Sequence, residues 1–200
     1  MLPLPREFYA RDPIVVAREL VGKILVRETS AGLASGRIVE AEAYLSSRDP
    51  ACHAHRGPNR KNATMFGPAG HAYVYMIHAR WCLNAVTEEV GCASAVLIRA
   101  IEPLEGIPLM QNRRGLDTIR DLARGPARLC EALAVTKTLD GHDLTLGQSL
   151  WIAADPSANG WPQRVHRSQR IGVTSAHHRL LRFFLADNPY VSGRRVARNA

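Results

Sequence analysis

Apolar positions along the chain change period several times, and each change marks an element. Val15, Val16 and Leu20 follow Asp12-Pro13 and precede Gly22. That is the order of an N-cap, a first-turn proline and a glycine past the helix end, so a short helix is predicted there. The chain then reads as extended, with Lys23–Arg27 and Gly36–Tyr44 as strand candidates separated by the turn formers Thr29-Ser30-Ala31-Gly32. From Ser46 to Gly70 the pattern dissolves into Pro, Asn, Gly, Arg and His. A compact domain keeps a long loop of this kind chiefly for binding or catalysis.

Ala72–Ile77 and Trp81–Thr87 alternate about a tight bend and predict a hairpin, and Ala95–Ala100 predicts a further strand. Short helices are predicted over Pro108–Arg113, Thr118–Arg124 and Pro126–Val135, the last opened by Gly125-Pro126. Trp151-Ile152, Ile171-Gly172-Val173 and Leu181–Leu185 read as strand-like, and Asn188-Pro189-Tyr190 as a turn. Strands gathered in mid-chain with helices after them predict an α+β domain rather than a doubly wound sheet. With 200 residues, 46% of them apolar, the chain can bury one core, so a single domain over 1–200 is expected.

Charge narrows the function. The formal net charge is +8, with lysine only at positions 23, 61 and 137 and arginine supplying the rest. Guanidinium forks match phosphate oxygens in pairs, which suits nucleic acid, although a merely basic soluble surface has the same composition. No stretch approaches the roughly 20 apolar residues of a membrane span. The start, Met1-Leu2-Pro3-Leu4-Pro5, lacks the basic and apolar segments of a signal peptide, so a cytoplasmic location is expected. Cys52, Cys82, Cys92 and Cys130 are irregularly spaced and predict reduced thiols. Cys52-His53-Ala54-His55 lacks a second pair at zinc spacing, so no metal site is expected.

The segment richest in chemistry is Gly36–Tyr44. A strand's two-residue period puts Glu40, Glu42 and Tyr44 on one face and Val39, Ala41 and Ala43 on the other. The small apolar set suits a core, so the carboxylates face water, a partner charge or a cleft. In the hairpin, Tyr73, Tyr75 and Ile77 share a face, and Asn84 lies on the returning strand. Two tyrosines and an amide are either core and turn or a platform for a planar ligand. Arg99 stands in the apolar run Val96-Leu97-Ile98-Arg99-Ala100-Ile101 and must serve an ion pair or a site.

Glu42-Ala43-Tyr44, Asp49-Pro50-Ala51-Cys52-His53, Arg56-Gly57, Asn62, Met65-Phe66 and Gly70 occur in that order. Tyr73-Val74-Tyr75, Cys82-Leu83-Asn84, Leu97 to Pro103, Gly125-Pro126, Arg170-Ile171-Gly172 and Asn188 to Ser192 follow. Their order and spacing resemble the alkyladenine (3-methyladenine) DNA glycosylases over about residues 6–192.

The resemblance implies a curved, mostly antiparallel, roll-like sheet with surrounding helices and a protruding β-hairpin. It implies a monomer acting on double-stranded DNA that contains damaged purines, with no cofactor. Glu42 would be the general base for a water and Arg99 would position both. Tyr44, His53 and Tyr75 would enclose the flipped base, and Asn84 would crowd out the 2-amino group of guanine. The bend His78-Ala79-Arg80-Trp81 stands where the family carries an aromatic wedge, one residue shorter, and His78 aligns with that wedge. Met76 and Trp81 are further wedge candidates, and Arg56, Arg60 and Lys61 are expected on the DNA-facing loop. Two rival readings are a nucleic-acid-binding module without catalysis, against which Glu42 stands, and a zinc hydrolase or deaminase using Cys52, His53 and His55. The latter lacks its Pro-Cys-x-x-Cys partner motif.

Overall fold

The computed structural model describes residues 1–156 and 164–193. Asp12 accepts a hydrogen bond from the Ile14 amide at 2.8 Å and Pro13 opens the helix, as the sequence implies. This helix, α2 (Pro13–Leu20), follows a single-turn helix, α1 (Arg6–Tyr9), which no sequence signal announced. The strands β1 (Ile24–Thr29), β2 (Gly32–Tyr44), β3 (Ala72–Ile77), β4 (Arg80–Thr87) and β5 (Ser94–Glu105) come next. Helices α3 (Ile107–Arg114) and α4 (Pro126–Ala132) precede β6 (Leu150–Ala153), β7 (Val165–Ser168) and β8 (Arg182–Leu185).

All pairings are antiparallel. The main path runs β3-β4-β5-β2-β1-β6, and β8 joins β2 to β7. The sheet curls into a half-barrel, and the whole is a single-domain α+β fold. Its inner face packs Ile38, Val39, Ala41, Ala43, Val96 and Ile98 against Val16 and Leu20 of α2 and Leu129 of α4. Among the described residues no helix is long and apolar enough to cross a membrane.

β2 is the spine. β5 runs along one edge, so β1 at residues 32–37 and β8 at 40–42 must share the other. A strand with neighbours on both sides cannot be a solvent-facing edge, and the Glu40 and Glu42 side chains are fully buried. Backbones of β2 and β5 come so close that a Cβ at Gly36 would lie 2.7 Å from the Glu102 carbonyl. Pairing passes from Ile38↔Ile101 to Glu40↔Ala100 and then to Ala41↔Ile98, so Val39 and Arg99 stand unpaired across bulges. Bulges re-aim side chains, and here the result is that Ile38 and Val39 both reach the core.

Several predicted boundaries move. Gly32 belongs to the β1–β2 hairpin, so the strand starts four residues before Gly36. The strand predicted over Ala95–Ala100 extends to Glu105, and the helix predicted to Val135 ends at Ala132. Thr118–Arg124 yields only a 3-10 turn at Ile119–Asp121. The Ala123 carbonyl accepts from the Ile101 amide and Arg124 bridges Ala100, so the chain returns to the sheet. Ile171-Gly172-Val173 is not a strand; Gly172 has φ +78° and the Ile171 amide is taken by Glu42. The strand of this region is β7, upstream of it.

The long loop is ordered by two buried polar residues. Asp49 accepts from the Leu45 and Ala51 amides. Asn62 accepts from the Asn59 amide at 2.7 Å and donates to the carbonyls of His53 and Gly57.

Candidate active site

The carboxylates of β2 face away from the apolar core and are enclosed by β8, the 188–193 segment and the loop after Arg170. Glu40 is a hub. Its Oε1 accepts from Arg99 Nε at 2.9 Å and Arg182 Nε at 2.6 Å, and its Oε2 accepts from the Ser192 amide at 2.6 Å. Glu42 holds a different set. Its Oε1 accepts from the Ile171 amide at 2.8 Å, and its Oε2 accepts from the Tyr44 hydroxyl at 2.9 Å and lies 3.3 Å from Arg99 Nη1. Arg99 therefore spans both carboxylates, so the charge that stood out in its apolar run is a paired one.

Burial pushes the Glu42 carboxyl above its ordinary range, and the neighbouring Glu40 adds to this. The charge of Arg99, the Ile171 amide and the Tyr44 hydroxyl pull the other way without cancelling it. A carboxylate offers about four lone-pair sites. Two hydrogen bonds, from the Ile171 amide and the Tyr44 hydroxyl, occupy Glu42, and Arg99 Nη1 stands beside it as an ion pair. Burial likewise holds Tyr44 and Tyr75 protonated well beyond neutral pH and favours neutral His53.

Beside this carboxylate lies a cavity of about 280 Å³. Tyr44, His53, Tyr73, Tyr75 and Asn84 line it, with Met65 and Ala95 beneath and Gly172–Ser175 as one wall. The aromatic side is a preformed stack: Tyr73 and Tyr75 lie 5.4 Å apart at 27°, and His53 meets Tyr75 edge-on at 4.5 Å. His53 Nδ1 bonds the Tyr73 hydroxyl at 3.0 Å, which fixes the imidazole plane. The Asn84 side chain donates to the Tyr73 carbonyl at 3.0 Å, directly across the hairpin, and still lines the cavity.

The structure thus gathers Tyr44, His53, Tyr75 and Asn84 around one space. Glu42 and Arg99 sit just behind it, reached through the Tyr44 hydroxyl rather than forming its wall. His78 is elsewhere, at the exposed tip of the β3–β4 hairpin. His78 and Ala79 have φ of +46° and +58° and close a two-residue turn of the kind that suits right-twisted strands. Of the other wedge candidates, Met76 is exposed on the same hairpin, whereas Trp81 packs against the core. Arg56, Arg60 and Lys61 are exposed on the long loop and make no ion pair among the described residues.

Asp49, Arg170, Arg182, Ser192 and the 171–175 wall are neighbours of this cluster to which sequence reasoning assigns no role, whereas it already reads Tyr73 with Tyr75 as core or platform. Arg182 carries the signal that singled out Arg99, a charge inside an apolar run; a backbone donor such as Ile171 leaves no trace in a sequence. Among the described residues no group of three His, Cys, Asp or Glu could hold a metal ion. His53 and His55 turn their Nδ1 atoms to Tyr73 and to the Ser47 carbonyl, and Cys52 faces the Ala93 carbonyl.

Comparison with known proteins identifies the family of the chain. The family model for Methylpurine-DNA glycosylase matches residues 7–189. A protein of Carboxydothermus hydrogenoformans named "Putative 3-methyladenine DNA glycosylase" is 47% identical over 191 residues, 94% of this chain and 98% of that protein. Similar proteins with the same name occur in Rubrobacter xylanophilus, at 48% identity over 90% of this chain and 92% of the relative, and in Methanoculleus marisnigri, at 44% over 96% and 100%. The chain belongs to the methylpurine-DNA glycosylase family.

Proposed function

We propose that the protein is a monofunctional DNA glycosylase of base excision repair. It flips alkylated or deaminated purines, namely 3-methyladenine, 7-methylguanine, hypoxanthine and etheno-adenine, out of duplex DNA and hydrolyses the N-glycosidic bond. The observation that carries this reading is a buried carboxylate, held by two hydrogen bonds and an arginine, set behind an aromatic cavity of about 280 Å³. That volume is at the small end for ligand sites, as a single base requires.

A base within the stack hides its sugar carbon, so the nucleotide must leave the helix, at a cost of a few kcal/mol that damage or mispairing lowers. Tyr44, Tyr75 and His53 enclose the extruded ring. Their faces favour cationic alkylpurines by on the order of 1–2 kcal/mol when dry. Glu42 accepts a proton from water as the oxygen bonds to the sugar C1′ and the bond from C1′ to the base nitrogen breaks, its electron pair leaving with the purine. A cationic 3-methyladenine then departs neutral. The same carboxylate stabilises the positive charge that develops on the sugar. Arg99 opposes the upward push of burial on Glu42 and aims it. Asn84 excludes the 2-amino group of guanine, His78 fills the gap left in the stack, and Arg56, Arg60 and Lys61 meet phosphates. The enzyme works as a monomer on cytoplasmic DNA.

The test is base release from duplexes each carrying one lesion, in chelator, with abasic sites counted. Absence of abasic sites on all four lesions defeats the proposal.

A further inference from the structure

The Arg170–Asp49 pair stands outside the roles assigned above, yet it joins β2, the Tyr44 ring, the long loop and the segment that forms the cavity wall. Both side chains are fully buried and joined twice, Nη1 to Oδ2 at 2.5 Å and Nη2 to Oδ1 at 2.8 Å. Arg170 Nη1 also donates to the Ala43 carbonyl at 2.9 Å, between Glu42 and Tyr44 on β2. Its guanidinium lies 4.6 Å over the Tyr44 ring. The next residue in the chain, Ile171, gives its amide to Glu42, and the residues after that form the cavity wall. Asp49 ties the same cation to the start of the long loop through the amides of Leu45 and Ala51.

We infer that Arg170, held by Asp49, is the positioning residue that locks the Glu42 carboxylate, the Tyr44 ring and the 171–175 wall into one working arrangement. A buried ion pair is weak ground for stability in itself, because desolvation offsets the attraction. What this pair secures is geometry, since both hydrogen-bond donors to Glu42, the Tyr44 hydroxyl and the Ile171 amide, are held in place by the same guanidinium. Arg170 acts through these groups and does not itself contact Glu42.

Glu42 has other charged and titratable neighbours. Its own strand presents Glu40 and Tyr44, and Arg99 faces it from β5. Cys82 on β4 and Tyr75 on β3 feel its charge, and Arg182 on β8 reaches it only through Glu40. Of these, Tyr44 lies against Arg170 and the others are not bonded to it, so loosening the pair frees Tyr44 and leaves the rest in place. The loss then falls on the donors that oppose the upward push of burial, and Glu42 holds its proton to higher pH. The charge of Arg170 acts in the same sense.

The inference rests on Glu42 as the general base, and two readouts separate it from that reading. The variants are Arg170→Lys, which keeps the charge and loses the fork, and Asp49→Asn, which keeps the shape and releases the arginine. The first readout is the titration of the Glu42 side-chain carbon, followed by NMR in the whole protein without DNA. It is expected to move to higher pH in both variants, less in Arg170→Lys. The second is single-turnover base release against pH. Its acidic limb should shift the same way, so that the rate falls roughly tenfold more at acid than at alkaline pH, the weight of one hydrogen bond to a charged group. An unmoved Glu42 titration, with rates scaled equally at every pH and a lowered melting temperature, overturns the inference and leaves a structural ion pair. A moved titration in a protein whose wild type releases no base supports the positioning and removes the glycosylase reading alone.

Discussion

Replacing Glu42 by glutamine separates chemistry from fold, and the structure says how far. All three partners of the carboxylate are donors: the Ile171 amide at 2.8 Å, the Tyr44 hydroxyl at 2.9 Å and Arg99 Nη1 at 3.3 Å. A glutamine oxygen can keep Ile171. Its NH2 then faces Tyr44, whose hydroxyl can turn and accept, and Arg99, which cannot. One charged contact is lost, about 1.5–3 kcal/mol, partly offset because a second carboxylate need no longer be buried. Arg99 stays held by Glu40 at 2.9 Å, so the variant should fold with a modestly lowered melting temperature. Glutamine takes no proton from water, and a positioned general base contributes about 10²–10⁴-fold, or ~3–5.5 kcal/mol of barrier. Single-turnover release of hypoxanthine should therefore fall at least ~100-fold while duplex affinity, read by fluorescence anisotropy, stays within about threefold, under ~1 kcal/mol. A residual rate within tenfold of wild type refutes the role of Glu42. Loss of duplex binding in a folded variant refutes the separation of chemistry from binding.

Borohydride trapping should capture no covalent protein–DNA adduct, because strand cleavage by β-elimination needs an amine Schiff base and the reaction proposed here uses water; an adduct on a gel shows otherwise. His78→Ala should slow release from a stably paired lesion more than from a mispaired one, since an unfilled gap lets the nucleotide return to the stack. Equal losses would move the wedge to another exposed hairpin residue such as Met76. Asn84→Ser should raise excision of mispaired guanine roughly tenfold, the weight of one crowded group in a dry pocket, and change hypoxanthine release little. Because Asn84 also donates to the Tyr73 carbonyl, a melting curve is needed alongside. A uniform decline on both bases with reduced melting temperature rejects the gate.

The hairpin was legible in the sequence, because alternation on either side of the bend gives both strands and the shared face of Tyr73, Tyr75 and Ile77, whereas the register that sets Tyr73 opposite Asn84 depends on a two-residue turn that starts the returning strand at Arg80, one residue earlier than predicted. The α+β class and the face that unites Glu40, Glu42 and Tyr44 were legible for the same reason: a period of two is local. What the pattern hides is long-range. The bulges at Val39 and Arg99 belong to a pairing between segments some sixty residues apart, and nothing in either segment alone announces them. Thr118–Arg124 has helical composition and stops after one turn because the sheet captures Ala123. The enclosure of Glu42 comes from a backbone amide about 130 residues downstream, a donor every residue but proline possesses. Cavity depth, and with it lesion preference, follows from such closures.

The position of β2 has a bearing on how this molecule can change. Its carboxylates lie on a strand with neighbours along both edges, where a shift of one residue would turn every side chain around. The residues that line the cavity are placed differently. Tyr73, Tyr75 and Ile77 belong to an end strand of the sheet, and Gly172–Ser175 to a loop. Substitution there reshapes the cavity without disturbing the carboxylate proposed to take the proton of the attacking water. Tyr44 alone belongs to both, lining the cavity with its ring and donating to Glu42 with its hydroxyl. Breadth of damage recognition can drift along the hairpin and the loop, and its coupling to hydrolysis narrows to a single phenol.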